Sequence, residues 1–201
     1  MLRLYDYLES GNAYKVRLLL HQLGLPFERV DVDILRGESR TQAFLRRNPN
    51  GRIPLLELED GTCLAESNAI LWYLAEGSAL LPASRLLRAQ VLQWMFFEQY
   101  SHEPYIAVLR FWHHAGLLER NRAAIREKRE RGDQGLAVMD RHLAERRFFV
   151  GDSYSIADIA LYAYTHVAHQ GGFELSDQRY VRDWLERVRA RPGHVPIAYA
   201  A

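Results

Sequence analysis

Cysteine is almost absent from this 201-residue chain, Cys63 being the only one. A single thiol excludes an internal disulfide and fits a reducing compartment. No apolar run approaches the ~20 residues that cross a membrane, and the first residues carry no basic segment followed by an apolar one. A soluble cytoplasmic protein without a membrane partner is therefore expected. Neither sign of charge is in excess, with 26 Lys and Arg against 25 Asp and Glu and a net charge of +1. That balance excludes the basic footprint of a nucleic-acid binder and a trap for acidic substrates. Metal-ligand spacings, internal repeats and low-complexity tracts are all missing. What remains is an ordinary globular composition, 48% hydrophobic and 25% charged, at a length that can bury one large core or two small ones.

The first 76 residues alternate between strand and helix signals. Leu2–Tyr5 reads as a short strand. Ser10-Gly11-Asn12 offers capping residues for a helix to Leu23, with Val16, Leu19, Leu20 and Leu23 on its apolar face and Lys15, Arg17 and Gln22 off it. Gly24 ends that helix and Pro26 prevents its return. Phe27–Ile34 alternates as a strand and Ser39–Arg47 reads as a short helix. After the Asn48-Pro49 loop, Leu55–Leu58 and Cys63-Leu64 flank an Asp60-Gly61 turn, the pattern of a hairpin. Glu66-Ser67 then opens a helix whose apolar face is Ile70, Leu71 and Leu74. The order is βαβαββα, which implies a parallel pair joined by a right-handed crossover, with antiparallel strands added by the hairpin. Ser67 falls where a cap hydroxyl and unpaired N–H groups collect. A loop, an extended edge and a helix start thus converge, an arrangement suited to a small zwitterionic peptide.

Residues 78–84 read as a linker, and beyond them strand signals almost vanish. Ser84–His114 is a long helical pattern interrupted by Pro104, which must kink or break it. Leu117–Leu143 is another, and its arginine-rich run from Arg120 to Arg131 is interleaved with Glu119, Glu127 and Glu130, as on a solvated face. Ser155-Ile156-Ala157-Asp158 is the strongest capping signal in the chain, Asp158 reaching back to a Ser155 cap while Tyr154 staples against Ile159. A last helix begins at Ser176 or Asp177 and runs to Ala190. The expected domains are 1–77, a linker at 78–84, and an all-helical 85–201.

Asn48-Pro49-x-Gly51-x-x-Pro54, followed by Glu66-Ser67-x-Ala69-Ile70 and by Ser155-Ile156-x-Asp158, resembles the cytosolic glutathione S-transferase family over essentially the whole chain. The resemblance implies an α/β plus all-α fold: an N-terminal thioredoxin-like domain, then an all-helical C-terminal domain. It implies glutathione as co-substrate, no metal, a homodimer, and a small-molecule electrophile or peroxide as second substrate. It also implies a cis Ile53–Pro54 bond that presents the Ile53 backbone to glutathione's cysteinyl unit as an added strand. Glu66 would take the γ-glutamyl ammonium, and the hydroxyl and N–H of Ser67 the α-carboxylate. Arg52 and Arg40 stand where the family places groups for the glycyl carboxylate.

Ser10-Gly11-Asn12-Ala13-Tyr14-Lys15-Val16 looks like the serine-type members, theta-like, phi-like or bacterial. A cysteine-like thiol near pKa ~8.5 is only a few per cent thiolate at neutral pH, and lowering it by roughly two units takes about 2.7 kcal/mol of selective stabilisation. Ser10 would donate to the sulfur, with the Asn12 amide and the Tyr5 hydroxyl as alternatives and a plain helix cap as the simpler role for Ser10. The absence of a cysteine near the first helix argues against thiol exchange by the protein itself. Ser10-Gly11-Asn12 in place of Ser-Ser-Cys argues against maleylacetoacetate isomerisation. Around Pro104 cluster Glu98, His102, Glu103, Tyr105 and Trp112, where the family builds its second-substrate pocket, and Glu103 stands where an acid can reach a partner subunit's glutathione. A glutathione-dependent disulfide reductase relying on Asn12 and a non-catalytic binding relative are the alternative functions.

Overall fold

The alternation of Leu2, Leu4 and Asp6 against Arg3 and Tyr5 makes β1 (Leu2–Asp6) a two-faced strand, and it lies inside a four-stranded sheet of order β2-β1-β3-β4. The structure, a computed structural model, describes residues 1–200. β2 (Phe27–Asp31) runs parallel to β1 with Leu4 opposite Arg29. β3 (Leu55–Glu57) runs antiparallel to β1 with Leu4 opposite Leu56, and β4 (Cys63–Ala65) pairs with β3. One face packs Leu4 and Leu56 against Val16 and Leu20 of α1 (Gly11–Leu23) and Ile70 of the helix that follows β4. The other packs Tyr5 and Leu55 against Val32 and Phe44. Each fully buried aliphatic side chain contributes roughly 1.5–3 kcal/mol to such a core.

Two local readings change. The strand expected to reach Ile34 stops at Asp31, because the Asp33 carboxylate accepts the N–H groups of Leu35 (2.9 Å) and Arg36 (3.1 Å) and turns the chain. The helix expected over 39–47 splits into a 3-10 turn, Glu38–Arg40, and α2 (Gln42–Leu45). Thr41 divides them: its extended backbone (φ −66°, ψ 150°) is that of a cap, and its hydroxyl accepts the Phe44 N–H. α3 (Ser67–Ala75) closes this part of the chain.

The chain separates into two compact units, 1–77 together with the tail from Pro192, and Ser78–Arg191. The tail was expected with the helices; it packs on α1 instead. Tyr14 donates to the Val195 carbonyl (2.7 Å), and Arg17 donates to the carbonyls of Leu8 and Ile197 (2.8 Å each). Arg17 also pairs with Asp6, both within 1% of full burial. Lys15 and Arg17 are therefore buried, although their helical positions fall off the apolar stripe.

In the second unit the pattern around Pro104 resolves into α4 (Arg85–Phe97), a π turn at Glu98–His102 and α5 (Glu103–His114), with Pro104 in the first turn of α5, where its missing N–H costs nothing. α6 (Arg122–Leu143) presents most of its arginines to solvent, as the interleaved acids imply, with Arg131 and Glu127 paired at 3.0 Å. Gly135 lets α6 close on the π turn: a Cβ there would lie 2.7 Å from the Ser101 carbonyl oxygen. α7 (Ile156–Thr165) is buried along its whole length, and α8 (Arg179–Arg189) packs Trp184 and Val188 inward. Among the described residues no helix is long and apolar enough to cross a membrane.

Asp158 is the polar centre of this unit. Fully buried, it accepts the Ser155 N–H (2.9 Å) in a capping box, the Phe149 N–H (3.2 Å) and the Trp184 indole N–H (2.9 Å). Burial outweighs these donors, and its carboxyl is pushed up to about 6 from an ordinary 3.8. The native state then holds a proton between pH ~4 and ~6 that the unfolded chain has lost, so stability from this group is complete below the unfolded value and is lost as pH rises through the folded one. Urea unfolding of wild type and Asp158→Asn from pH 4 to 7 should show the wild-type advantage shrinking by roughly 2–3 kcal/mol with rising pH. A gap that is constant with pH would show that this carboxyl titrates normally.

Candidate functional site

The loop before β3 is built by one side chain. Buried Asn48 accepts the Asn50 N–H (3.1 Å) on Oδ1 and donates from Nδ2 to the Arg52 carbonyl (2.7 Å), closing a turn that Gly51 completes at φ 63°. A Cβ on Gly51 would meet the Ser39 carbonyl oxygen at 3.0 Å and the Arg40 guanidinium at 2.7 Å. Arg40 itself donates to the Asn50 carbonyl (2.9 Å). Arg40 and Arg52 both point to solvent, the first braced against this loop. The Ile53–Pro54 bond that follows is cis, with Ile53 half-buried and Pro54 buried at the start of β3.

β4 then delivers the chain to Glu66, the only non-glycine described residue at positive φ (68°, ψ 112°). Such a backbone persists in a residue with a Cβ only where its surroundings impose it, and such residues gather at functional sites. Glu66 is exposed and occupies the N-cap position without a side-chain cap bond, so Ser67 is the first helical residue and not the cap. The Ser67 hydroxyl is turned elsewhere: it donates to Asn12 Oδ1 (3.1 Å) and accepts from Lys15 Nζ (3.4 Å).

That hydrogen bond joins the first turns of α1 and α3. Ser10 caps α1, its Oγ accepting the Ala13 N–H at 3.2 Å, so the simpler role of this residue is present while its own proton stays rotatable. The positive ends of two helix dipoles, with the N–H groups that no helical carbonyl satisfies, thus open side by side at Ser10–Asn12 and Ser67. Such a place binds anions.

Tyr5 stands apart from it. Its side chain lies on the opposite face of the sheet, against Phe44, and donates to Glu57 Oε2 (2.8 Å). Burial first, then the bond to Glu57, raise its hydroxyl above the ordinary tyrosine range. Of the three candidate donors, Ser10 and Asn12 share the α1 terminus and Tyr5 does not.

The four residues expected to line a second-substrate pocket do not act as one group. His102 is fully buried and bonded through Nε2 to the Thr165 hydroxyl (2.9 Å), a core position imposed by the inward register of the π turn. Glu103 is half-buried and takes a hydrogen bond from Gln99. Tyr105 and Trp112 both face the Lys128 ammonium, 5.7 and 5.5 Å from their ring centroids. Tyr105 also lines a cavity of about 220 Å³ with Phe97, Tyr100 and Arg131. Among the described residues no three His, Cys, Asp or Glu side chains are placed to hold a metal ion.

Asn48 was expected in the loop, but its buried bracing of that loop was not, and Lys15 was not foreseen beside Ser67. The run Val16-Arg17-Leu18-Leu19-Leu20 holds the missed signal, since a helix that is apolar nearly all round is buried, charges included.

A four-stranded mixed sheet of this order with helices, followed by a helical unit, defines a thioredoxin-like domain and an all-α domain. The comparisons make it specific. Residues 1–76 match the glutathione S-transferase N-terminal domain and residues 122–193 the glutathione S-transferase C-terminal domain. The chain belongs to the glutathione S-transferase family. It is 56% identical to a glutathione S-transferase from Pseudomonas fluorescens Pf-5 whose structure it matches with a TM-score of 0.95, covering 98% of each chain. It is 31% identical over 199 residues to the disulfide-bond oxidoreductase YfcG of Escherichia coli K12, covering 96% of this chain and 92% of that one. It is 33% identical over 170 residues to elongation factor 1-gamma of Artemia salina, where it spans 82% of itself but only 39% of the longer protein.

The loop geometry makes a direct prediction. Asn48→Ala leaves the Asn50 N–H and the Arg52 carbonyl without their partner and should lower stability by about 1–3 kcal/mol. Thermal unfolding measures this; an unchanged midpoint would show that the loop holds itself.

Proposed function

We propose that the protein is a glutathione transferase that ionises the glutathione thiol and adds the thiolate to an apolar electrophile or uses it to reduce a peroxide. The observation that carries this reading is the Asn12–Ser67 hydrogen bond, which sets two helix N-termini side by side. Of the three negative groups of ionised glutathione, the γ-glutamyl carboxylate and the thiolate are the two that such a pair of helix N-termini suits. The backbone N–H groups at the start of α3 receive the carboxylate, and the exposed Glu66 beside them receives the ammonium. The Ile53 backbone pairs with the cysteinyl unit, and Arg52, with Arg40 behind it, faces the glycyl carboxylate.

At α1 the Ser10 hydroxyl donates to the sulfur while its oxygen continues to cap the helix, and the Asn12 amide is the second donor. Hydrogen bonds to the charged form and the positive end of the dipole favour thiolate over thiol. The thiol proton passes to solvent, the sulfur attacks, and in a substitution the leaving group departs with its electron pair. Family members usually form dimers, and Tyr100, 82% exposed at the Tyr105 cavity, together with Phe96, 67% exposed, gives this chain an aromatic surface for a second copy.

A second reading, disulfide reduction by glutathione, is supported by the engagement of Asn12 in the site and by the likeness to YfcG. One substrate panel separates the two: a halonitrobenzene, an organic peroxide and hydroxyethyl disulfide, each with wild type, Ser10→Ala and Asn12→Ala. The transferase reading expects Ser10→Ala to lower turnover with the first two substrates by about 10²-fold and Asn12→Ala to matter less. Loss confined to Asn12→Ala, with hydroxyethyl disulfide the preferred substrate, selects the reductase. Glutathione at about 100 times its Kd should stabilise the fold by about 2.7 kcal/mol. No thermal shift and no retention on a glutathione resin would refute both readings.

A further inference from the structure

The guanidinium of Arg17, a residue only 1% exposed, grips separate segments of the first unit at once. Nη1 donates to Asp6 at the end of β1, while Nη2 donates to the Leu8 carbonyl and to the Ile197 carbonyl of the tail, 2.8 Å each. We infer that Arg17 is a positioning residue for the turn that carries Ser10, and that the tail from Pro192 is what holds it in that pose. The inference rests on the transferase reading, in which Ser10 donates to the sulfur, and adds a residue and a segment to it.

The connection from β1 to α1 is a turn closed by the Ser10 N–H on the Tyr7 carbonyl (2.8 Å), and Leu8 is the point at which Arg17 grips it. The two hydrogens of Nη2 go to two carbonyls, one in this turn and one in the tail. The plane of the guanidinium, and with it the spacing between helix and turn, is therefore fixed from both sides. Neutralising Asp6 takes only a charge; holding both carbonyls as well takes the fork. The tail lies along one stripe of α1: Tyr14 donates to the Val195 carbonyl (2.7 Å), and Tyr199 meets the His21 ring edge-on at 5.3 Å. Gly193 lets it approach, since at φ 72° a Cβ there would lie 2.9 Å from Gln22 Cα and 3.0 Å from the His21 carbonyl oxygen. With the tail lifted, water reaches Arg17, a fixed carbonyl is exchanged for mobile solvent, and the attraction to Asp6 weakens as the local dielectric rises. Leu8 then loosens, and Ser10 two residues on loosens with it. A misplacement of about 1 Å at the reacting groups can cost about 10²-fold, so ionisation of the thiol is where release of the tail registers.

The test compares wild type, Arg17→Lys, Gly193→Val, Ser10→Ala and the two pairs that add Ser10→Ala to the others. It reads thiolate ultraviolet absorbance of bound glutathione across pH, kcat and KM with a halonitrobenzene, and hydrogen exchange of the tail amides. Arg17→Lys keeps the charge opposite Asp6 and loses the fork; Gly193→Val lifts the tail and leaves Arg17 in place. Either should lower kcat and the thiolate fraction at neutral pH roughly five- to tenfold, with KM for glutathione within about threefold of wild type. Gly193→Val should also exchange its tail amides at least about tenfold faster. Added to Ser10→Ala, neither change should cost more, because both act through that hydroxyl. Losses that multiply with Ser10→Ala, or a thiol that titrates as in wild type in either folded variant, overturn the inference. A Gly193→Val whose tail exchanges as in wild type overturns the part assigned to the tail. Should circular dichroism show Arg17→Lys unfolded, Gly193→Val decides alone. A Ser10→Ala with wild-type turnover refutes the transferase reading and this inference with it, whereas an impaired Ser10→Ala beside unaffected Arg17→Lys and Gly193→Val refutes the inference only.

Discussion

The buried pair between Asp6 and Arg17 is the constraint on which the first unit depends. Both side chains are within 1% of complete burial, and removing one partner of such a pair typically costs about 3–5 kcal/mol because the other charge is stranded. The pair does more than neutralise charge. Asp6 ends β1, Arg17 lies in the second turn of α1, and the same guanidinium donates to Leu8 between them and to Ile197 in the tail. Strand end, connecting loop, helix and tail are therefore held by one side chain, in the planar fork geometry that arginine alone provides. The connection it braces leads directly to Ser10.

With α1 placed, the chemistry follows from the packing of helices on a sheet. α1 and α3 share one face because Val16, Leu20 and Ile70 bury against the same strand residues, Leu4 and Leu56. Parallel placement of two helices brings their N-termini to one end, where dipoles and unsatisfied N–H groups add. A pair of helix N-termini, a setting that favours anions, is thus a consequence of the fold, and Ser10, Asn12, Glu66 and Ser67 stand on those two termini. Glu66 holds a positive φ at the strand-to-helix junction, a conformation that a residue with a Cβ adopts only where its surroundings impose it.

The helical unit repeats the logic of a buried polar group with a different outcome. Asp158 organises the start of α7, the Phe149 backbone and Trp184 of α8 through its hydrogen bonds, and nothing about it requires a ligand. Much of this was legible: Ser155 followed three residues later by Asp158 is a capping box wherever it occurs, and Gly24 at φ 65° ends α1 as its position after Leu23 implies. Other parts were not. His102 has the look of a site residue beside Pro104, but the π turn sends it into the core against Thr165, and helical periodicity carries no information about a turn that breaks the period. Val32 and Ile34 continue the alternation of β2, yet the Asp33 carboxylate ends the strand by a hydrogen bond to the next turn, a competition between side chain and sheet that alternation cannot register.

Local chemistry along the sequence determined the element types, the two-part organisation, the Asn48–Pro54 loop and the helix starts at Ser10 and Ser67, because caps, turns and apolar periodicity act over a few residues. Tertiary structure alone decided which charges are buried. Lys15 and Arg17 look like solvent-facing positions on one helix; they become interior only when α3 brings Ser67 to Lys15 and when the tail, some 180 residues further along, lays the Ile197 carbonyl against Arg17. The apolar run Val16–Leu20 signals that the helix is buried, but the partners that satisfy its charges come from segments far apart in the chain, and no short-range signal names them.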